Sequence, residues 1–188
     1  FPSEADPKNI GRTFLEPACG SGNFLVEILD RKLAYVFRPH FRSASAIEAA
    51  ALRALSSIYG IDIDQSNVEE SRHFLGVEIE HHMNLALNTE PVTPGFMSAV
   101  DTILTTNIQR ADTLKDAKSI RLVEYKWQRR TGYLIREWSN LEEADEQPDL
   151  FSQVPDEPTQ DAVAIHYSVL ADNPRPVVPT KKGSGGKR

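Results

Sequence analysis

Short apolar runs that end in an acid alternate with longer stretches of helical spacing through the first two thirds of this chain. Thr13, Phe14 and Leu15 read as the end of a short buried strand, followed by a turn over residues 16–23. Phe24 with Ile28 and Leu25 with Leu29 then repeat at helical spacing, and Leu33, Val36 and Phe37 extend the stripe to Pro39. An alanine-rich helix is predicted over 45–57, its apolar face marked by Ile47, Ala51 and Leu55. "IYGIDI" at 58–63 predicts a second strand ending in acid, and 66–87 a long helix with Val68, Leu75, Ile79 and Met83 on one side. Pro91, Pro94 and Gly95 mark a loop before a short helix over 97–104, and residues 106–109 predict a third strand running out to Asp112. This β-α-β-α-β order predicts a parallel sheet covered by helices, an α/β fold.

The period then changes to about two. Residues 120–127 and 133–138 alternate on either side of "RRTG", which predicts a β-hairpin. Residues 140–161 are acidic and contain prolines, as a solvated connector would, and 162–170 are apolar enough for one more strand. From Asn173 the prolines and the closing "KKGSGGKR" predict a disordered tail. The expected division is an α/β half over 1–118, a hairpin over 119–140, a connector with a strand over 141–172, and a tail over 173–188.

Composition narrows the partners. The 188 residues carry a net charge of −6, so bulk basicity does not point to nucleic acid and any such contact needs a local patch. No apolar run approaches the ~18 residues of a membrane span. The one cysteine, Cys19, excludes an internal disulfide and suits a reducing cytoplasmic setting.

The chemistry concentrates in "TFLEPACGSGNFLVEIL", residues 13–29. A strand entering Gly20-Ser21-Gly22 and then a helix places backbone N–H groups at the strand ends, where open α/β sheets bind ligands. A phosphate loop would need Lys-Ser/Thr after the second glycine, where Asn23-Phe24 stand, and a dinucleotide fingerprint would need a glycine at Leu25. Glu16 would repel a pyrophosphate; it suits a ligand carrying a positive group, and the ammonium and sulfonium of S-adenosylmethionine fit.

At this wording the chain resembles the S-adenosylmethionine-dependent DNA methyltransferases that modify the exocyclic amine of adenine, of the restriction-modification or phage type. "FLEPACGSGNFL" resembles their cofactor motif, "YGIDID" their second motif and "NIQRADTL" their third, in the right order. The resemblance implies a Rossmann-like class I methyltransferase core with an abbreviated second half, and S-adenosyl-L-methionine as cofactor. It assigns cofactor contacts to Glu16, Pro17, Ala18, Gly20, Ser21, Gly22, Asn23 and Phe24. It further implies that Asp62, with Ile63, holds the ribose hydroxyls, and that Asp112, with Thr113, accepts from the adenine amine. Double-stranded DNA with an adenine target is the implied partner.

The family's Asn/Asp-Pro-Pro-aromatic loop, which holds the target amine and stacks on the flipped base, does not follow Asp112. The nearest text, "NPRP" at Asn173, leaves Asn173 as a weak catalytic candidate beside the reading as a tail. An alternative is therefore a non-catalytic cofactor-binding subunit completed by a second methylation or specificity subunit. Arg129 and Arg130, flanked by Trp127 and Tyr133, are candidates to meet phosphate and a base, with a solvated turn as the plainer reading. Lys181, Lys182, Lys187 and Arg188 are candidates for non-specific DNA contact. His81 and His82 lie on one helix with no further ligand at metal spacing, so no metal site is expected.

Overall fold

The computed structural model describes residues 9–36, 43–88, 90–141 and 158–178. The chain starts with β1 (Phe14–Glu16), α1 (Asn23–Val36), α2 (Ala44–Leu55), β2 (Ile58–Asp62), α3 (Gln65–Ala86), α4 (Phe96–Asn107) and β3 (Ile108–Arg110). The three strands form a parallel sheet in the order β1-β2-β3. An antiparallel sheet follows, β4 (Arg121–Trp127), β5 (Tyr133–Asn140) and β6 (Ile165–His166), in that spatial order. This is an α/β architecture, a parallel sheet flanked by helices, with a small antiparallel sheet in place of a continued parallel one.

All five residues of β2 are buried, as expected for a central parallel strand covered on both faces. Alternation sends neighbouring side chains to opposite faces, and the two faces have different covers. On one side α1 lies so close that a Cβ on Gly60 would sit 2.7 Å from Leu25 Cδ1 and 3.0 Å from Cys19 Sγ. On the other, the Tyr59 hydroxyl donates to the Val123 carbonyl of β4 at 2.6 Å. The antiparallel sheet is thus a layer on the parallel one. Ser43 caps α2 through Ala46 N–H (3.3 Å), and Asp64 caps α3 through Ser66 N–H (2.8 Å).

Four expectations are corrected. Thr106 and Asn107, expected in the third strand, complete α4. Thr106 Oγ1 donates back to Thr102 O, and the buried Asn107 amide donates to Ser56 O and Ile58 O, so α4 is pinned to the entry of β2 before β3 can begin. The stretch 162–170 yields only the two residues of β6 and one 3₁₀ turn, Tyr167–Val169. Asp161, expected at the end of a solvated connector, is 2 % exposed. Its carboxylate takes the Arg136 guanidinium at 3.0 and 3.2 Å, Arg136 N–H at 2.9 Å and Val177 N–H at 2.7 Å. Arg136 in turn donates to the carbonyls of Asn173 and Arg175, so residues 173–178 run along the sheet instead of leaving it. The central connector, 142–157, and the basic end with Lys181, Lys182, Lys187 and Arg188 lie outside the described residues.

A second buried cation secures the other end of the chain. Lys32 of α1 is fully buried and donates to Arg12 O at 2.5 Å, to Ile10 O at 3.4 Å and to Ser57 Oγ, with Phe14 beneath its ammonium. These partners are neutral, and burial pushes the ammonium down to about 7.

Both cations generate predictions. Asp161→Ala leaves the Arg136 charge buried without its partner, and the expected loss is about 3–5 kcal/mol in urea unfolding. A loss below 1 kcal/mol would show that the pair does not anchor the second sheet. For Lys32 the folded value lies below the unfolded 10.5, so the unfolded chain binds more protons between about pH 7 and 10.5 and stability rises across that window. Below it the penalty for the buried charge is constant. Wild-type protein is expected to gain melting temperature relative to Lys32→Met between pH 6.5 and 9.5; parallel pH profiles would contradict the assignment.

Candidate functional site

The carboxyl ends of the three parallel strands converge on the glycine turn. In the β1–β2 register Glu16 lies opposite Gly60, so β2 runs on past β1 and carries Asp62 up beside the turn. Asp62 Oδ2 accepts Gly20 N–H at 2.8 Å, while Oδ1 accepts Asp64 N–H at 2.9 Å and the Asn67 amide at 3.1 Å. These hydrogen bonds hold its carboxyl below the usual range even though burial opposes them. Cys19 N–H donates to Ile61 O at 2.9 Å, so two successive residues of the turn are fastened to β2.

The glycines have separate jobs. Gly22, at φ +85°, is buried against α3, where a Cβ would come within 2.9 Å of Ser71 Cβ. Gly20, at φ +54°, faces open space: a Cβ there would meet nothing within 4 Å. A left-handed backbone at both positions favours glycine, and the open one leaves a backbone-lined cradle. Cys19 beneath it is inert, because burial and then the Asp62 carboxylate push its thiol up to about 11.

Around the cradle stand the other expected residues. Glu16 is half-buried and accepts Ala18 N–H at 3.4 Å; Ser21 Oγ accepts from the Asn23 amide at 3.4 Å. Asp112, just past β3, pairs with Lys115 at 3.1 Å and accepts Leu114 N–H at 3.1 Å, which hold its carboxyl below the ordinary range. Thr113 Oγ1 reaches over the end of β2 to donate to Pro17 O at 3.3 Å, so the exit of β3 and the turn after β1 are in direct contact. Phe24, Ile63 and Leu114, which follow the glycine turn, β2 and β3 in the chain, are apolar residues that are 49 %, 62 % and 96 % exposed. Leu114 ends the "NIQRADTL" motif but is not assigned a contact from the sequence; its signal was an apolar residue inside a turn that belongs to no helical or strand period.

The arrangement suits S-adenosylmethionine. The Asp62 carboxylate, an acceptor only, ends β2 beside the turn, a placement suited to a hydroxyl donor. Gly20 offers room for close backbone approach, Glu16 a carboxylate for an ammonium, and the exposed apolar residues after the strands a surface for a planar ring.

Asn173 lies elsewhere. Its amide donates to Val169 O at 2.8 Å and its carbonyl is held by Arg136, in the second sheet. The adjoining Pro174 lines a cavity of about 460 Å³ with Thr105, Thr106 and Trp138, beside the start of β3 and at the opposite end of the sheet from the glycine turn. Asp30, Glu78 and His82 are one group of side chains that could hold a metal ion. His82 Nε2 lies 2.9 Å from both carboxylates, a hydrogen-bonding distance that ties α1 to α3 without an ion.

Comparison with known families agrees with this geometry. Residues 5–87 match the family model described as RMKL-like, methyltransferase domain. The segment that carries β1, the glycine turn, β2 and Asp62 is therefore similar to the methyltransferase domain that this family model describes. The match spans under half of the chain and stops before α4, β3 and Asp112. No curated protein and no solved structure matches the chain significantly. Among the described residues no helix is long and apolar enough to cross a membrane.

Asp62 carries the prediction for this site. Asp62→Ala frees Gly20 N–H and the start of α3, and is expected to weaken S-adenosylmethionine binding by roughly 1–3 kcal/mol in calorimetry. Asp64→Ala, which removes only a helix cap, is expected to leave the affinity nearly unchanged. Equal losses from the two variants, both folded, would place the ribose acid elsewhere.

Proposed function

We propose that this chain binds S-adenosyl-L-methionine at the ends of β1, β2 and β3 and acts on the exocyclic amine of adenine in double-stranded DNA, as part of a restriction-modification or phage-type system. One observation carries the reading: the turn "EPACGSGNF", whose wording resembles that of adenine-amine methyltransferases, is held open at Gly20 by the acid that ends β2. Bound, the cofactor supplies an electrophilic methyl group on its sulfonium. The chain's own part is to orient it: Glu16 toward the methionine amine, Gly20, Ser21 and Gly22 along the backbone, Asp62 toward the ribose, and Asp112, Ile63, Thr113 and Leu114 around the adenine. The inert single thiol suits a reducing cytoplasm.

The second reading, a cofactor-binding subunit completed by another chain, is favoured by one specific observation. Phe14 N–H donates to Ser57 O, so by the alternation of a parallel ladder the N–H and C=O of Leu15 face away from β2. Among the described residues no strand pairs with that outer edge, and Leu15 is 39 % exposed. An unpaired edge beside the cofactor turn is a place for a strand that brings target-base acceptors.

Transfer of a labelled methyl group separates these readings. The chain alone is expected to bind the cofactor and to methylate mixed-sequence duplex DNA slowly or not at all, with turnover appearing on addition of a partner methylation subunit. Robust turnover by the chain alone, lost in Asn173→Ala, would make "NPRP" the catalytic loop. Methylation of RNA in preference to duplex DNA would overturn the substrate assignment, and absence of cofactor binding would overturn the whole reading.

A further inference from the structure

The β4–β5 hairpin ends in a rigid tip whose charge runs against that of the chain. Tyr133 N–H donates to Arg130 O at 3.2 Å, Gln128 N–H to Tyr133 O at 2.8 Å, and Tyr167 N–H to Gly132 O at 2.9 Å. Gly132, at φ +80°, lies so near β6 that a Cβ would come within 2.8 Å of the His166 ring and 3.0 Å of Tyr167. The tip is therefore seated on β6 and on the 3₁₀ turn after it, and its side chains project from a fixed base.

Two clefts flank this tip. One, shallow and about 520 Å³, is bounded by Arg129, Arg130 and Tyr133; the other, about 260 Å³, runs between Arg129, Trp127 and Arg53 of α2. Neither cleft is lined by an acid, in a chain with 27 acidic and 21 basic residues. Arg53, Arg129 and Arg130 make no ion pair with the described residues, whereas the neighbouring Lys126 is taken by Glu124 and Glu137. The Arg130 guanidinium lies over the Tyr133 ring at 3.9 Å, an arrangement that fixes its plane while leaving its N–H groups outward.

We propose that the Arg53–Arg129–Arg130 surface at the hairpin tip grips the phosphate backbone of nucleic acid and holds it against the domain. Guanidinium groups bind phosphate through paired N–H donors, and backbone contacts of this kind position a duplex without reading its sequence. Burial and then the positive charge of Arg130 hold the nearby His166 imidazole below its ordinary value, against the opposing charge of Glu48. Trp127 donates to Ser56 Oγ just before β2, so the tip lies near the opposite end of β2 from Asp62. From Ser56 to Asp62 is six positions, five of them ending the run as β2, roughly 20 Å or about six base pairs of duplex. The inference rests on the nucleic-acid reading above but concerns a surface distinct from the cofactor cradle.

The test is fluorescence anisotropy of a labelled mixed-sequence duplex of about 20 base pairs with the full chain, over a series of salt concentrations. Each phosphate contact contributes about 0.9 to the slope of log affinity against log salt, so Arg129→Gln/Arg130→Gln is expected to lower the slope by about 2 and the affinity at least tenfold at low salt. Arg31→Gln/Arg121→Gln, with the same charge change away from the tip, is expected to leave both unchanged. Equal effects of the two double variants, an unchanged slope at the tip, or no binding by wild type at low salt would each overturn the proposal. So would displacement of the duplex by inorganic phosphate beyond the effect of sodium chloride at equal ionic strength, which would mark a small-anion site. Calorimetry with S-adenosylmethionine keeps the two readings apart: the tip variant is expected to bind it as wild type does, and a wild type that binds DNA but no cofactor would sink the methyltransferase reading alone.

Discussion

The contact between the Asp62 carboxylate and Gly20 N–H sets the form of the glycine-turn end of this domain. A chain leaving β1 through two left-handed glycines has many exits open to it, and a 2.8 Å bond to the end of the neighbouring strand selects one. The same carboxylate receives Asp64 N–H and the Asn67 side chain, so the start of α3 is set by the atoms that set the turn. One buried acid thereby orients α1, through the turn, and α3, through its first residues. Gly22 and Gly60 then let those helices close, since a side chain at either position would collide with Ser71 or with Leu25 and Cys19.

The far face of the parallel sheet follows a different rule. A larger α/β domain would cover it with further helices, whereas here a twisted hairpin sheet lies on it, joined at Tyr59–Val123 and Trp127–Ser56. Small antiparallel sheets need a partner layer to be stable, and this one has two supports. One is the parallel sheet. The other is the Arg136–Asp161 pair, which gathers the chain on both sides of β6 by spending every guanidinium nitrogen on an acceptor. A buried charge pair without such surrounding bonds would cost more than it returned. The same pair draws residues 173–178 onto the sheet, so the "NPRP" stretch serves as packing for the second layer.

The functional surfaces divide along the same line. The parallel sheet presents acceptors and backbone donors at its strand ends, chemistry suited to a small, partly cationic cofactor. The hairpin presents guanidinium groups and an aromatic ring, chemistry suited to a polyanion. The cavity beside Trp138 and the hydrogen bonds of His82 belong to neither.

Much of the first half was legible in the sequence, because its signals are local. The strand-turn-helix wording at 13–29, the helical stripe of Leu25, Ile28 and Leu29, and the strand ending at Asp62 each follow from spacing within one window. The hairpin was equally legible, since its period of two is interrupted at a glycine that takes a positive φ. What sequence alone misplaced depends on distant partners. Thr106 and Asn107 are good strand-entry residues by pattern, and they became helix because Asn107 finds the carbonyls of Ser56 and Ile58 about fifty positions earlier. Asp161 reads as solvated until Arg136 is brought to it, and Leu114 belongs to a site only once the exit of β3 lies beside the turn after β1. Local propensity therefore determined which strands, turns and helices form and in what order; tertiary structure alone decided where β3 begins, which acids are buried and which charges are left free, because a carboxylate, amide or guanidinium takes its role from the groups that desolvate it and bond to it.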